Sequence, residues 1–329
     1  MLNDKVVLVT GGTGSFGKKF TEIVLREYRP KKLIILSRDE LKQHDMRRIY
    51  PDTANSPVRY FIGDVRDRER LHRAFDGVNV VIHAAALKQV PACEYNPFEA
   101  VKTNILGAAN VIDAAINCGV ERVMALSTDK AVNPINTYGA TKLCAEKMFV
   151  QGNSYAGAKR TRMSVVRYGN VVGSRGSVVP LFLSQRSNGK VTVTDPRMTR
   201  FWLTLEQGVR FVIGRMEQMH GGEVFVPKIP SMRVVDLAQA IAPGCAHEYV
   251  GIRAGEKIHE VLLTEEEARR ALEFESYFVI QPEFAWWHVE NWQGGELLKD
   301  GFRYSSDTNS EWLTCEQLAE LVEGLAEEV

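Results

Sequence analysis

The sequence predicts an α/β fold, a doubly wound parallel sheet carrying a smaller C-terminal region, and three observations predict it. Short apolar runs, each bounded by glycine or polar residues, alternate with stretches of helical spacing through the first half of the chain. Glycines stand at 11, 14 and 17, directly behind the first run. After about residue 169 the alternation gives way to segments containing glycine and arginine.

The runs are "VVLVT" near residue 6, "KLIILS" near 32, "VRYFIGD" near 58, "VNVVIHAAA" near 78, "ERVMALS" near 121 and "MSVVRYG" near 163. They read as strands buried on both faces, because such strands are continuously apolar instead of alternating. Residues 16–28, 94–118 and 138–156 have helical spacing and supply right-handed crossovers. The expected division is a sheet domain of residues 1–169, to which 205–227 return with a helix and the strand "GEVFVP". A second region takes 170–204 and 228–329, with "VVDLAQAIA", "GIRAGEKIHEVLL" and a last helix in "SEWLTCEQLAELVEGL".

Composition excludes several classes of partner. The 329 residues carry 41 basic and 41 acidic side chains, so no charge excess points to nucleic acid or an anionic membrane. Cys93, Cys118, Cys144, Cys245 and Cys315 are scattered without a C-x-x-C, which fits packing roles in a reducing compartment. "MLNDKVVLVT" runs straight into a strand, and no apolar run reaches the ~18 residues of a membrane span. The expectation is a soluble cytoplasmic protein. His83 and the other histidines lack metal-ligand spacing, so no metal is assigned. Trp286, Trp287 and Trp292 read as packing residues.

The turn "VTGGTGSFG" lies between the first strand and the first helix, a Rossmann-type arrangement. Gly11, Thr13, Gly14, Ser15, Phe16 and Gly17 would let a dinucleotide pyrophosphate rest on the helix N-terminus. At the end of the second strand, "SRDELK" offers Ser37, Arg38 and Lys42 to a 2′-phosphate, which favours NADP, while Asp39 is the acidic residue that would instead accept from the 2′-hydroxyl of NAD. Asp64 and Val65 end the third strand, where the aspartate can accept from adenine. Ala84, Ala85 and Ala86 end the fourth, where small side chains let a cofactor lie flat.

"STDKAVNPINTYGATK" carries the chemistry. Tyr138 and Lys142 stand four apart on one helix face, and Ser127 and Thr128 precede them at a strand end. In such a set the lysine cation lowers the phenol pKa, and the phenolate takes the proton of an alcohol as hydride leaves carbon. Asp129 and Lys130 add a second ionisable pair at the strand end, which suggests chemistry beyond hydride transfer.

With the glycine turn, Tyr138-x-x-x-Lys142 resembles the extended short-chain dehydrogenase/reductase superfamily. "SRDELKQ", "HAAALKQVPACEYNP", "STDKAVNPINTYGATKL", "RYGNVVGSRGSVVP", "DPRMTRFW", "HGGEVFVPKIPSM" and "GIRAGEKIHE" resemble, more closely, the inverting UDP-N-acetylglucosamine 4,6-dehydratases, from about residue 5 to about 280. The resemblance implies an NADP-dependent lyase that oxidises C4, eliminates water across C5–C6 and returns hydride to C6 with inversion at C5. The implied product is UDP-2-acetamido-2,6-dideoxy-β-L-arabino-hex-4-ulose, the first intermediate of pseudaminic acid biosynthesis for surface glycans and flagellin. It makes Tyr138 the base at O4, Lys130 the base at C5 and Asp129 the acid at the C6 hydroxyl. Lys130 must then be neutral part of the time, and burial near Lys142 is expected to lower its pKa. By motif position Lys88, Asn170, Ser174, Arg175, Arg197, Thr199, Arg253 and Glu256 would meet the UDP-sugar, the arginines suiting a diphosphate. Dimers assembling into a hexamer are implied too. A retaining dehydratase, whose pair at this place is Asp-Glu, and a 4-epimerase, which needs no such pair, are the rival enzymes. An NADP-binding sensor without turnover is the rival of another class.

Overall fold

The computed structural model describes residues 1–172, 178–284, 287 and 291–326. Strands β1 (Val6–Thr10), β2 (Lys32–Ser37), β3 (Val58–Ile62), β4 (Val80–His83), β5 (Arg122–Thr128) and β6 (Arg162–Tyr168) are the expected apolar runs. They pair in parallel in the order β3-β2-β1-β4-β5-β6. The order reverses between β1 and β4, so the crevice outside their C-terminal ends is the switch point where such sheets bind ligands.

Helices connect them: α1 (Ser15–Glu27), α2 (Glu40–Ile49), α3 (Arg68–Phe75), α4 (Val90–Tyr95), α5 (Pro97–Ala100), α6 (Gly107–Cys118) and α7 (Thr137–Gly152). Aspartates start α2 and α3, where Asp39 and Asp67 accept from the backbone N–H groups of Lys42 and Arg70. The single helix expected over 94–118 is divided instead, with a π-helical stretch at Val101–Leu106 between α5 and α6. Pro97 accounts for the first break, since it lacks the N–H that would continue α4.

The strand Val224–Pro227 joins beside β6 in parallel. Tyr277–Ile280 and Ala271–Glu273 then extend the same sheet antiparallel. Here the structure departs from the expected division, which placed all of 228–329 in the second region. These strands carry buried Ala271, Phe278 and Val279 into the main core, which is why they stay with it. A separate apolar cluster joins Val191, Trp202, Leu237, Ile241 and Leu318.

Candidate active site

The glycine turn is built for close approach. Gly11 has φ +65°, and a Cβ there would lie 2.9 Å from the Ala85 backbone, so the turn can press against the end of β4 only without a side chain. Gly14 opens α1 with no capping side chain, and no acidic residue stands in the first turn, which leaves backbone N–H groups for an anion. Thr10 Oγ1 accepts from the Ala85 N–H at 3.2 Å and pairs with His83 Nδ1 at 2.8 Å. Burial and the Lys142 charge push His83 down to about 3, so its ring is neutral.

The end of β2 corrects one expectation. Ser37 Oγ is buried, lies 2.7 Å from Thr13 Oγ1 and accepts from the Asp39 N–H at 3.3 Å. It braces the glycine turn instead of facing a 2′-phosphate. Asp39 is also engaged: one oxygen caps α2 through the Lys42 N–H at 3.0 Å, and the other holds Lys42 Nζ at 2.6 Å. Arg38 reaches Asp64 at 3.4 Å and is exposed. Asp64 also binds Arg66 at 2.7 Å, and Val65 is buried against Gly107. Ser15 and Phe16 lie in the first turn of α1, Ala84 and Ala86 are half-buried beyond β4, and Lys88 is exposed.

At the end of β5 a one-turn helix, Asp129–Ala131, meets the start of α7. Gly139 makes this contact possible, because a Cβ there would sit 2.1 Å from the Lys130 carbonyl oxygen. Asn136 caps α7 through the Gly139 N–H at 2.7 Å. Tyr138 and Lys142 are buried on this helix. Burial pushes the Tyr138 phenol up to about 12, opposed by the Lys130 charge and a bond with Thr128. Lys142 donates to the Leu126 carbonyl at 2.6 Å, and burial lowers it to about 8. The cation acting most strongly on the phenol is therefore Lys130.

Asp129 is 0% exposed; its Oδ1 accepts from Thr128 Oγ1 at 2.7 Å and Lys130 Nζ at 2.9 Å, and its Oδ2 has no hydrogen-bond partner. Lys130 also faces Glu260 at 3.6 Å. The expected lowering of Lys130 is overturned: burial does oppose the ammonium, but the Asp129 and Glu260 carboxylates outweigh it and raise the pKa above its ordinary value. The charges acting on Lys130 are those of Asp129, Glu260 and Arg200, while the Lys142 ammonium donates to Leu126.

Of the expected sugar contacts, Asn170 keeps a buried Oδ1 without a partner, as a ligand-facing amide would. Arg197 is exposed and paired with Asp195 at 2.8 Å, and Arg253 is exposed near Glu256 at 3.9 Å. Thr199 is corrected: its buried hydroxyl lies 2.8 Å from His259 Nδ1 and 2.7 Å from Ser306 Oγ, so it ties the strand Thr199–Leu203 to two neighbouring segments and is engaged within the protein. Ser174 and Arg175 lie outside the described residues, as does Trp286. Trp287 is buried and donates to Gln281 at 3.0 Å, and Trp292 packs edge-on against Phe225 and Phe274.

Sequence reasoning missed four residues. Asn104 clamps the loop after β4, bonding both the N–H and the carbonyl of Leu87, and reaches Thr141 on α7 at 3.0 Å. Glu260, Lys257 and Arg200 bring charge to Lys130 from the second half of the chain. Two of them lie inside the motif "GIRAGEKIHE", and Arg200 lies in "DPRMTRFW", so the signal was present without a partner to give it meaning.

Known proteins resemble this chain along most of its length. The model of the family described as polysaccharide biosynthesis protein matches residues 7–282. A UDP-N-acetylglucosamine 4,6-dehydratase (inverting) of Campylobacter jejuni subsp. jejuni serotype O:2 is 53% identical over 98% of each chain. A UDP-glucose 4-epimerase of Rickettsia conorii is 42% identical over 98% of this chain and 96% of its own. The solved structure of Pen from Bacillus thuringiensis superposes with a TM-score of 0.89 at 39% identity, covering 98% of this chain and 99% of that one. The chain therefore belongs to the polysaccharide biosynthesis protein family and, within it, to the inverting UDP-N-acetylglucosamine 4,6-dehydratases.

Proposed function

We propose that this chain converts UDP-N-acetylglucosamine into UDP-2-acetamido-2,6-dideoxy-β-L-arabino-hex-4-ulose, the opening step of pseudaminic acid biosynthesis. The observation that carries the reading is the pair of buried Asp129 and part-buried Lys130, bonded at 2.9 Å where β5 meets the helix of Tyr138. NADP suits the first half of the site: the uncapped N-terminus of α1 favours a pyrophosphate, Asp39 is engaged by Lys42, and Arg38, exposed and held to Asp64 only at 3.4 Å, is the proposed 2′-phosphate contact, with Lys42 beside it. When bound, it supplies a hydride acceptor for C4 and a hydride donor for C6.

The chain's own residues manage protons. Tyr138 takes the O4 proton as a phenolate, a form that burial disfavours and the Lys130 charge favours. The resulting ketone acidifies the C5 hydrogen. Lys130 passes a proton to Asp129 across their hydrogen bond; the amine then takes the C5 proton while the Asp129 carboxylic acid protonates the C6 hydroxyl, which leaves as water. One proton has moved from C5 to oxygen, and the ion pair is restored. Once C6 has been reduced, a proton from solvent reaches C5 on the opposite face and inverts that centre, and Tyr138 releases the O4 proton to solvent to restore its phenolate. Lys88, Asn170, Arg197, Arg253 and Glu256 are the proposed sugar and diphosphate contacts, with residues 170–204 and much of 228–329 as the substrate region. A cytoplasmic hexamer built of dimers completes the reading.

The test is the product. Proton NMR after incubation with UDP-N-acetylglucosamine in deuterated water should show a 4-keto-6-deoxy sugar, inverted and deuterated at C5, with a C4 label moved to C6. Retained C5 configuration overturns the inverting assignment. The Rickettsia relatives favour a second reading, 4-epimerisation, which would be established by a product that keeps its C6 hydroxyl and differs only at C4.

A further inference from the structure

We propose that Glu260 is a positioning residue for the elimination step: its carboxylate holds the Lys130 side chain against Asp129 and sets when Lys130 gives up its proton. This rests on the dehydratase reading above. Glu260 reaches the site from the far half of the chain and is 3% exposed. Its backbone is fixed from both sides, the N–H donating to Ser306 Oγ at 2.9 Å and the carbonyl accepting from the Ser306 N–H at 2.8 Å. The segment before it is clasped onto the catalytic turn. Asn136 Nδ2 donates to the Gly255 carbonyl at 2.7 Å, and Lys257 Nζ donates to the Val132 carbonyl at 2.6 Å. The backbone that carries this carboxylate is thereby held against the catalytic turn.

Its surroundings select the partner. Glu260 Oε1 lies 3.6 Å from Lys130 Nζ and 3.9 Å from Arg200 Nε, and Oε2 lies 3.9 Å from Lys257 Nζ without a hydrogen bond. Arg200 is spoken for, since it donates to the Thr199, Ile258 and Lys257 carbonyls. Lys257 is committed to Val132. Lys130, at the shortest of the three distances, is thus the cation that lies between Asp129 on its own turn and Glu260 opposite, with the Arg200 and Lys257 charges and Tyr138 of α7 as its other neighbours. An ammonium between two carboxylates is restrained in position and kept charged until Asp129 accepts its proton. Removing the Glu260 charge eases that transfer.

The experiment is a titration of the Lys130 amine by nitrogen NMR in the protein without substrate, the signal being assigned by its loss in Lys130→Ala. In Glu260→Gln the midpoint should fall by about 1–3 pH units. The pH profile for deuterium uptake at C5 should move to lower pH with it, while KM for the sugar nucleotide stays near that of the parent. Glu260→Asp, which keeps the charge but withdraws it, should give a smaller fall, and it decides the matter if the glutamine variant does not fold. A midpoint that stays in place in a folded variant overturns the proposal. If the parent protein fails to convert UDP-N-acetylglucosamine, the functional reading falls, and the titration still decides whether Glu260 governs Lys130.

Discussion

Two charge clusters tie the sheet to the C-terminal half of the chain, and they are finished differently. In the first, Arg167 of β6 is buried between Glu146 of α7 and Glu267. Its guanidinium donates to both oxygens of Glu146, to both oxygens of Glu267 at 2.9 Å and to the Leu262 carbonyl at 2.9 Å. In the second, Lys130 lies between Asp129 and Glu260, and each of these carboxylates keeps one buried oxygen without a partner. A buried polar network that is fully paired rigidifies, whereas one left incomplete carries an unmet cost that a ligand can relieve. The difference separates a structural joint from a reactive one built of the same residue types.

The largest expected effect tests the reactive joint. Lys130→Ala should lower product formation by about 10²–10⁴-fold, while C4 oxidation survives as slow cofactor reduction because Tyr138 and Lys142 remain. Its melting temperature should fall as well, since the buried Asp129 and Glu260 carboxylates lose their shared cation, so product formation is compared per folded molecule. A variant that melts early yet forms product at the parent rate would reverse the comparison.

Next comes the structural joint. Arg167→Met leaves two buried carboxylates unpaired and should cost about 3–5 kcal/mol in denaturant unfolding. It has a pH signature. Burial would raise Glu267, but Arg167 outweighs it and brings the carboxyl down to about 2 from an ordinary 4.5. A depressed carboxyl contributes stability that is present above its unfolded value and is lost as pH falls toward its folded one. The parent should therefore lose stability between about 4.5 and about 2, and the variant should lack that component. Matching acid unfolding curves in the two proteins would remove the distinction drawn between the clusters.

The smallest effect sharpens the comparison with an exposed pair. Arg38→Ala breaks only the 3.4 Å contact with Asp64 and should shift stability by less than ~1 kcal/mol. Calorimetry should instead show NADP weakened about tenfold more than NAD, the value of one charge-assisted contact. Equal loss for both nucleotides would remove the 2′-phosphate role.

What was legible in the chain follows from the range of the forces involved. β1–β6 could be read because strands buried on both faces are continuously apolar, and the glycine turn and Tyr138–Lys142 because their spacing is local. The Asp129–Lys130 pair was visible for the same reason. Its electrostatics were not, since Glu260 acts on Lys130 through folding alone and reverses the expected pKa shift. Ser37 and Thr199 failed as ligand residues because a hydroxyl seen in sequence carries no record of the partner, Thr13 or His259, that will occupy it. The division of the helix at Pro97 was signalled locally and passed over; the antiparallel strands Ala271–Glu273 and Tyr277–Ile280 had no comparable local signal.

The clasp of Gly255 and Lys257 on Asn136 and Val132 also has a consequence for the growing chain. Domains begin to form from the N-terminal side during synthesis. By the time Tyr168 has left the ribosome, β1–β6 and the helix bearing Tyr138 and Lys142 have been made, while Glu260 has yet to be translated. During that interval the nascent chain holds the residues proposed to oxidise an alcohol, but the turn bearing Lys130 has neither its clasp nor its second carboxylate. The order of translation thus repeats the order of the proposed chemistry, with the redox apparatus made first and the means of expelling water completed last.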